Sequence, residues 1–359
     1  MTRSVLLQQA RRIVIKLGTG ILTNEANLPD VQQLDRLVEQ VAQLRAQSRE
    51  VILVTSGAVG AGMGTMGLSK RPRELADLQA AAAVGQTHLM QQYATLFANH
   101  RLGVGQVLLT HEDLRHHQRH LNARHTLEAL LQHGIIPIVN ENDAVSCTEL
   151  KFGDNDRLSA LVASLLPADL LIILTTADGL IRHFGTPEAS RLSEVSTISR
   201  EITEMARGTT SITATGGMVT KIAAARIAVR SGIPMLIGPG RQDQILTSII
   251  RGEDVGTLFL PSPKRLKGRK RWIAFFHQPK GALIVDQGAR KALQENGKSL
   301  LPKGVLQLEG SFKAGEVVSI RDESHLEFAL GISRFESGHF DQWKQLDQEV
   351  VHRDDLVIL

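Results

Sequence analysis

Cysteine is almost missing from this 359-residue chain: Cys147 is the only one. No disulfide can form within it, so a reducing, cytoplasmic setting is expected. Beside the acidic residues around it, Cys147 reads as a small packing residue, because neighbouring carboxylates hold a thiol protonated. Long apolar runs are also missing. None approaches the length of a bilayer-crossing helix, which predicts a soluble protein with no membrane partner. The Val5-Leu6-Leu7 patch within residues 1–12 is too short for a secretory core. Nor is one sign of charge in excess, since 41 Lys/Arg face 37 Asp/Glu, a formal net charge of +4. Six of the bases fall in residues 264–271, and outside that run residues 261–359 are net −3. The basic character belongs to a connector and forms no stripe suited to nucleic acid. The aromatics Trp272, Phe275 and Phe276 read as core, not as platforms for bases.

What is present is alternation. Apolar runs at residues 13–17, 51–54, 104–109, 135–139, 170–174 and 233–237 read as strands. Between them Val31, Leu34, Val38, Val41 and Leu44 recur at helical spacing. Helices are also expected from Pro72 towards Phe97, over 122–133 up to Gly134, over 157–166 before Pro167, and over 218–231 with Gly232 just past the end. Strand–helix alternation of this kind predicts an α/β domain with a parallel sheet over residues 1–260. Pro261-Ser262-Pro263 and the basic run predict a linker over 261–271. Short runs at 272–276, 282–285, 316–320 and 327–332 then predict a small, mainly β domain over 272–359.

Residues 140–156 pack five acidic side chains and three asparagines directly after the apolar run at 135–139. Open α/β sheets bind ligands at the C-terminal ends of their strands, and this cluster suits a small zwitterion. Three glycine-bearing turns accompany it: Lys16-Leu17-Gly18-Thr19-Gly20, Thr55-Ser56-Gly57-Ala58-Val59-Gly60 and Thr215-Gly216-Gly217-Met218-Val219-Thr220-Lys221. Backbone amides in such turns can cradle a polyphosphate, with Lys16 and Lys221 neutralising it. Lys221 falls in the first turns of its helix, where a cation requires a compensating anion. No Walker A string occurs. The match Gly62-x-Gly64-x-x-Gly67 is a decoy: the strand before it ends at Val54, and no acidic residue follows at the distance a ribose needs. The segment with His111, His116, His117 and His120 lacks H-E-x-x-H spacing and reads as a solvated helix face, with no metal site.

With these strings in view, the chain resembles the glutamate 5-kinases of the amino-acid kinase family. The matching strings are Val14 to Thr19, Val54 to Ala58, Asn140-Glu141-Asn142-Asp143-Ala144-Val145, Gly153-Asp154-Asn155-Asp156, and Thr215-Gly216-Gly217-Met218 with Lys221. The tail is similar to a PUA domain through Arg269 to Ile273, Leu300 to Gly304 and His352 to Asp355. The resemblance implies a three-layer αβα sandwich and ATP-dependent phosphorylation of the L-glutamate side-chain carboxylate, the first step of proline synthesis. It implies ATP contacts at Lys16, Gly18, Thr175, Thr176 and the run Thr215, Gly216, Gly217, Met218, Val219, Thr220, Lys221. Glutamate contacts are implied at Ser56, Asp143 and Asn155, with Asp156 organising the catalytic lysines Lys16 and Lys221. Mg²⁺, feedback inhibition by proline, homo-oligomerisation and a glutamyl phosphate reductase as partner come with the same likeness. Three positions depart from the family pattern: Thr176 where Asp is common, Gly20 where Ser is usual, and Ala214 where Gly is usual. The alternatives are another carboxylate kinase of this fold, acting on acetylglutamate, aspartate or carbamate, and an RNA-binding role through the tail.

Overall fold

The computed structural model describes residues 2–24, 29–146, 155–207, 217–263, 266, 268–277, 279–343 and 348–359. The apolar runs form strands β1 (Arg12–Leu17), β2 (Glu50–Val54), β3 (Val104–Leu109), β4 (Ile136–Glu141) and β5 (Leu170–Thr175). The short strands β6 (Ile181–Arg182), β7 (Ser190–Arg191) and β8 (Glu194–Val195) follow, then β9 (Met235–Pro239) and β10 (Thr257–Phe259). Apart from the hairpin β6–β7, they join one sheet in the order β3-β4-β2-β1-β5-β9-β10-β8. Its pairs are parallel except β9–β10. In β1 every residue from Ile13 to Leu17 is buried, as a strand covered on both faces requires.

Side chains alternate across a strand, so β1 serves two layers at once. Ile13, Ile15 and Leu17 join a core with Leu34, Leu37, Val38 and Val41 of helix Val31–Ala46 and Leu89, Tyr93 and Phe97 of helix Leu75–Ala98. Lys16 faces the other layer, where helices Asn155–Leu165 and Met218–Arg230 pack together. Asp30 caps the helix Val31–Ala46 by accepting from the Gln33 amide at 3.1 Å. Val31, assigned from the sequence to that helix's buried face, is the helix's first residue and is 47% exposed. Gly134 (φ +73°) and Gly232 (φ +79°) stand just past helix ends, in the left-handed conformation that residue position favours. Among the described residues no helix is long and apolar enough to cross a membrane.

The chain divides into two compact units, residues 1–265 and 266–359. The second holds β11 (Gly281–Val285), β12 (Val305–Gly310), β13 (Val317–Arg321), β14 (Glu327–Ile332) and β15 (Leu356–Ile358) in the order β12-β11-β13-β14-β15. Only β11 and β13 run parallel. Trp343, 1% exposed, is boxed by Phe312, Phe335 and Phe340 with ring centroids 5.2–6.3 Å away. The sequence-predicted strand at 272–276 is instead the end of helix Gly268–Phe276, which begins inside the stretch read as linker. Its buried Ile273 packs on Val317, Leu330, Ile332 and Val357. The alternating pattern expected of a half-buried strand is absent there, and the basic residues before it supply the helix's polar face. Arg269 pairs with Asp355 at 2.6 Å.

Candidate active site

The C-terminal ends of β1, β2, β4 and β5 open onto one region, and a helix N-terminus points into it. Asp156, the second residue of helix Asn155–Leu165, is fully buried. One of its oxygens, Oδ1, lies 2.8 Å from Lys16 Nζ; the other, Oδ2, lies 3.1 Å from Lys221 Nζ. The two lysines are 3% and 5% exposed, so three charges share a water-poor pocket with a net charge of +1. The Thr220 hydroxyl lies 2.9 Å from Oδ2 and 2.8 Å from the Gly217 carbonyl oxygen, two acceptors that share its one proton. Lys221 sits in the first turn of helix Met218–Arg230, and Asp156 is the anion that the position requires.

Gly18 follows Lys16 without a side chain, and a Cβ there would lie 3.6 Å from Lys16 Nζ and 3.3 Å from the Leu174 carbonyl oxygen. Bare backbone is thereby kept beside the ammonium. Thr175 ends β5, its carbonyl accepting from the Gly240 amide at 2.8 Å, and Thr176 follows exposed. Two departures from the family pattern meet here: a Cβ on Gly20 would come 3.1 Å from the Thr176 methyl. A larger residue at 20 would press on the threonine at 176, so the two changes are matched in space. Gly217, Met218, Val219, Thr220 and Lys221 open their helix together, Val219 exposed and Met218 buried. Thr215, Gly216 and Ala214 lie outside the described residues, as do Gly153, Asp154 and Cys147.

On the opposite side of Asp156 lies a carboxamide cluster. The Asn155 Nδ2 group reaches the Thr55 carbonyl at 2.6 Å, Asn140 Oδ1 at 2.9 Å and Ser56 Oγ at 3.0 Å. Asn140 in turn donates to Gln86 Oε1 at 2.8 Å. Asp143 is half-buried in the turn after β4, which closes through Val145 N–H to the Asn142 carbonyl at 3.2 Å. Ser56 precedes Gly57, whose φ of +100° starts the helix Ala58–Thr65 in a conformation that favours glycine. A cleft beside Ser56 and Gly57 is walled by Leu22, Asp30, Leu34 and Leu89.

Thus Lys16, Asp156 and Lys221 are brought into one contact, as are Ser56 and Asn155. The sequence reading passed over Gln79, Gln86 and Tyr93. Tyr93 OH pairs with Thr55 Oγ1 at 2.8 Å, and Gln79 reaches the Ser146 carbonyl at 3.4 Å. Burial pushes the Tyr93 phenol well above its ordinary range, the Thr55 hydrogen bond pulling it back only in part, so it stays neutral. The signal was present: 79, 86 and 93 recur every seven residues, polar positions on one stripe of helix Leu75–Ala98. The decoy glycines have a packing role instead. A Cβ on Gly62 would lie 1.8 Å from the Ala81 carbonyl oxygen, and one on Gly85 equally close to that of Ala58.

Residues 11–239 match the profile of the Amino acid kinase family, and residues 281–346 that of the PUA domain. The chain is 45% identical over 372 residues to a glutamate 5-kinase of Citrifermentans bemidjiense, covering 99% of this chain and 100% of that one. It is 46% identical over 369 residues to a glutamate 5-kinase of Moorella thermoacetica, covering 98% and 97%. In structure, a carbamate kinase from Giardia lamblia bound to AMP-PNP superposes with a TM-score of 0.51 at 16% identity, covering 71% of this chain and all (100%) of that one.

Proposed function

The chain belongs to the amino acid kinase family, among its glutamate 5-kinases, and from that premise we propose how its residues carry the reaction. The activity is ATP-dependent phosphorylation of the L-glutamate side-chain carboxylate, the first step of proline biosynthesis. The single observation that carries our assignment is the buried Lys16–Asp156–Lys221 contact at the strand ends.

The nucleophile needs no general base, because a free carboxylate with a pKa of about 4.3 is already ionised at neutral pH. The barrier is the approach of one anion to another, so catalysis lies in alignment and charge neutralisation. A carboxylate oxygen attacks the γ-phosphorus, the bond to the bridging oxygen breaks, and ADP leaves with that oxygen's charge. Lys16 takes the transferring phosphoryl group and Lys221 the leaving-group side. Asp156 holds both ammonium groups apart from water and fixed in direction. Amides of Gly18 and Gly57 complete the oxygen contacts, and Thr175, Thr176 and the run from Thr215 to Lys221 hold ATP. Asp143 pairs with the substrate ammonium, while Ser56 and Asn155 fix its polar ends.

Among the described residues no group of His, Cys, Asp and Glu is assembled to hold a metal ion, and Asp156 is engaged by two lysines and a threonine. A Mg²⁺ accompanying ATP would supply charge neutralisation on the phosphates beside Lys16 and Lys221. Proline as end-product inhibitor, a homo-oligomer, a glutamyl phosphate reductase as consumer of the labile acyl phosphate, and a cytoplasmic site complete the reading; the family likeness supports them.

ADP release by the purified chain tests the substrate assignment. Turnover is expected with L-glutamate and not with aspartate, N-acetylglutamate or carbamate. Equal rates with any of these would sink it. Asp143→Ala is expected to raise the glutamate KM with little change in that for ATP.

A further inference from the structure

Two backbone groups fix the polarity of the carboxamide chain. The Thr55 carbonyl can only accept, so Asn155 must turn its NH₂ towards it, at 2.6 Å. The Glu141 amide can only donate, so Asn140 must turn its Oδ1 towards that, at 3.0 Å. The two side chains then meet donor to acceptor at 2.9 Å. The Asn140 NH₂ remains, and Gln86 Oε1 receives it at 2.8 Å. Asn140 is 1% exposed and Gln86 9% exposed, so neither can turn to water for a substitute partner. Two buried atoms end the chain without a hydrogen bond among the described residues: Asn155 Oδ1, an acceptor, and Gln86 Nε2, a donor.

We propose that Gln86 is a positioning residue for glutamate: by holding Asn140 in the orientation that the two backbone groups set, it keeps Asn155 in place so that its carbonyl oxygen meets the substrate ammonium. A buried acceptor with no protein partner takes a donor, and the ammonium is the one cationic donor glutamate offers. A carboxylate oxygen at the same point would meet oxygen with oxygen. The lock therefore selects for the amino group, not for the reacting carboxylate. Gln86 is itself held in register, since Gly85 lets helix Ala58–Thr65 come against the Leu75–Ala98 helix and Tyr93 ties that helix to Thr55. This inference rests on the glutamate kinase reading.

Three proteins test it: the unsubstituted chain, Gln86→Met and Gln86→Glu. Each is assayed for ADP release against glutamate and ATP. Glutarate, which keeps a carboxylate and lacks the ammonium, is measured as a competitor. Gln86→Met keeps length and loses the acceptor; its glutamate KM is expected to rise about tenfold with the ATP KM unchanged. The inhibition constant of glutarate is expected to stay within about twofold, so the preference for glutamate falls about tenfold. Gln86→Glu keeps an oxygen that accepts from the Asn140 NH₂, so glutamate affinity and the preference are expected to remain. An unchanged preference in a folded Gln86→Met, or a tenfold loss in a folded Gln86→Glu, overturns the positioning role. Should Gln86→Met not fold, Gln86→Glu decides alone. Absence of glutamate-dependent turnover in the unsubstituted chain overturns the function and this inference together.

Discussion

At the scale of single residues, three buried charges dominate. Asp156 is fully buried against two lysines, and removing one member of such a set strands the others. Asp156→Asn leaves two ammonium groups in low dielectric with no counterion and is expected to cost about 3–5 kcal/mol of stability. ATP supplies the missing negative charge, so it should raise the melting temperature of that variant more than it raises that of the unsubstituted chain. Thermal melts with and without nucleotide measure the difference, and equal shifts would remove the phosphates from the vicinity of these lysines. Lys16→Ala differs in kind: Asp156 retains Lys221 and Thr220, so the fold should hold while turnover drops by several tenfold steps. Unchanged kcat there would end the assignment of Lys16 to the phosphoryl group. These residues were legible in the sequence because each sits in a short string with its own signature. The spacing marks Gln86 only as one polar position on a stripe; its pairing is hidden, because its partner Asn140 is 54 positions away and the contact exists only once helix and strand have met.

At the scale of elements, the helix Ala58–Thr65 shows why a glycine string can mislead. Its glycines are not equivalent. Gly62 is buried, with the Ala81 backbone where a Cβ would go, whereas Gly64 is exposed, with nothing within 4 Å. Gly62→Ala must push the two helices apart and is expected to destabilise by about 1–3 kcal/mol. Gly64→Ala relieves the entropy cost of a glycine in the helix's last turn and is expected to stabilise by up to about 0.5–1 kcal/mol. Opposite signs in denaturant melts would establish the seam; the same sign would refute it. The sequence pattern read strands and long helices well because burial on both faces leaves continuous apolar runs, as in β1. It gave little for helix Ala58–Thr65, where six of the eight residues are glycine, alanine or valine and no apolar stripe forms. The helix His111–Arg115 carries a different local signal, a capping box in which Thr110 and Asp113 bond reciprocally. Asp113 is subject to desolvation, which raises its pKa, but hydrogen bonds from Thr110 and Arg119 outweigh it and hold the pKa below the ordinary 3.8. A depressed carboxylate stabilises above its unfolded pKa and loses that contribution as pH falls through the folded value. Asp113→Asn should therefore be less stable than the unsubstituted chain at neutral pH, and the gap should close on acidification below 3.8. A gap that persists at low pH would show that the carboxylate charge is not its source.

At the scale of the whole molecule, two units carry separate cores and separate sheets. Every side chain assigned to ATP or glutamate falls between Lys16 and Lys221, inside the first unit. The second unit closes its aromatics inward around Trp343, and residues 266–359 carry 14 Lys/Arg against 13 Asp/Glu, a net charge of only +1. Neither feature offers phosphates a surface, so salt-dependent retention on RNA is not expected of it. The separation was visible in the sequence as a change of texture at Pro261-Ser262-Pro263. The helix Gly268–Phe276 was hidden, because a basic run followed by a short apolar one reads equally as connector and strand. In the first unit, helices and strands from Leu7 to Leu258 share one cluster of described residues, with Ile13 and Phe97 among them. Residues 1–265 expressed alone are therefore expected to fold and to release ADP with L-glutamate at a kcat within a few-fold of the full chain. The control is residues 1–265 carrying Lys16→Ala, which should lose that turnover as the full-length variant does. A folded first unit without glutamate-dependent activity would mean that the second unit contributes to the reaction.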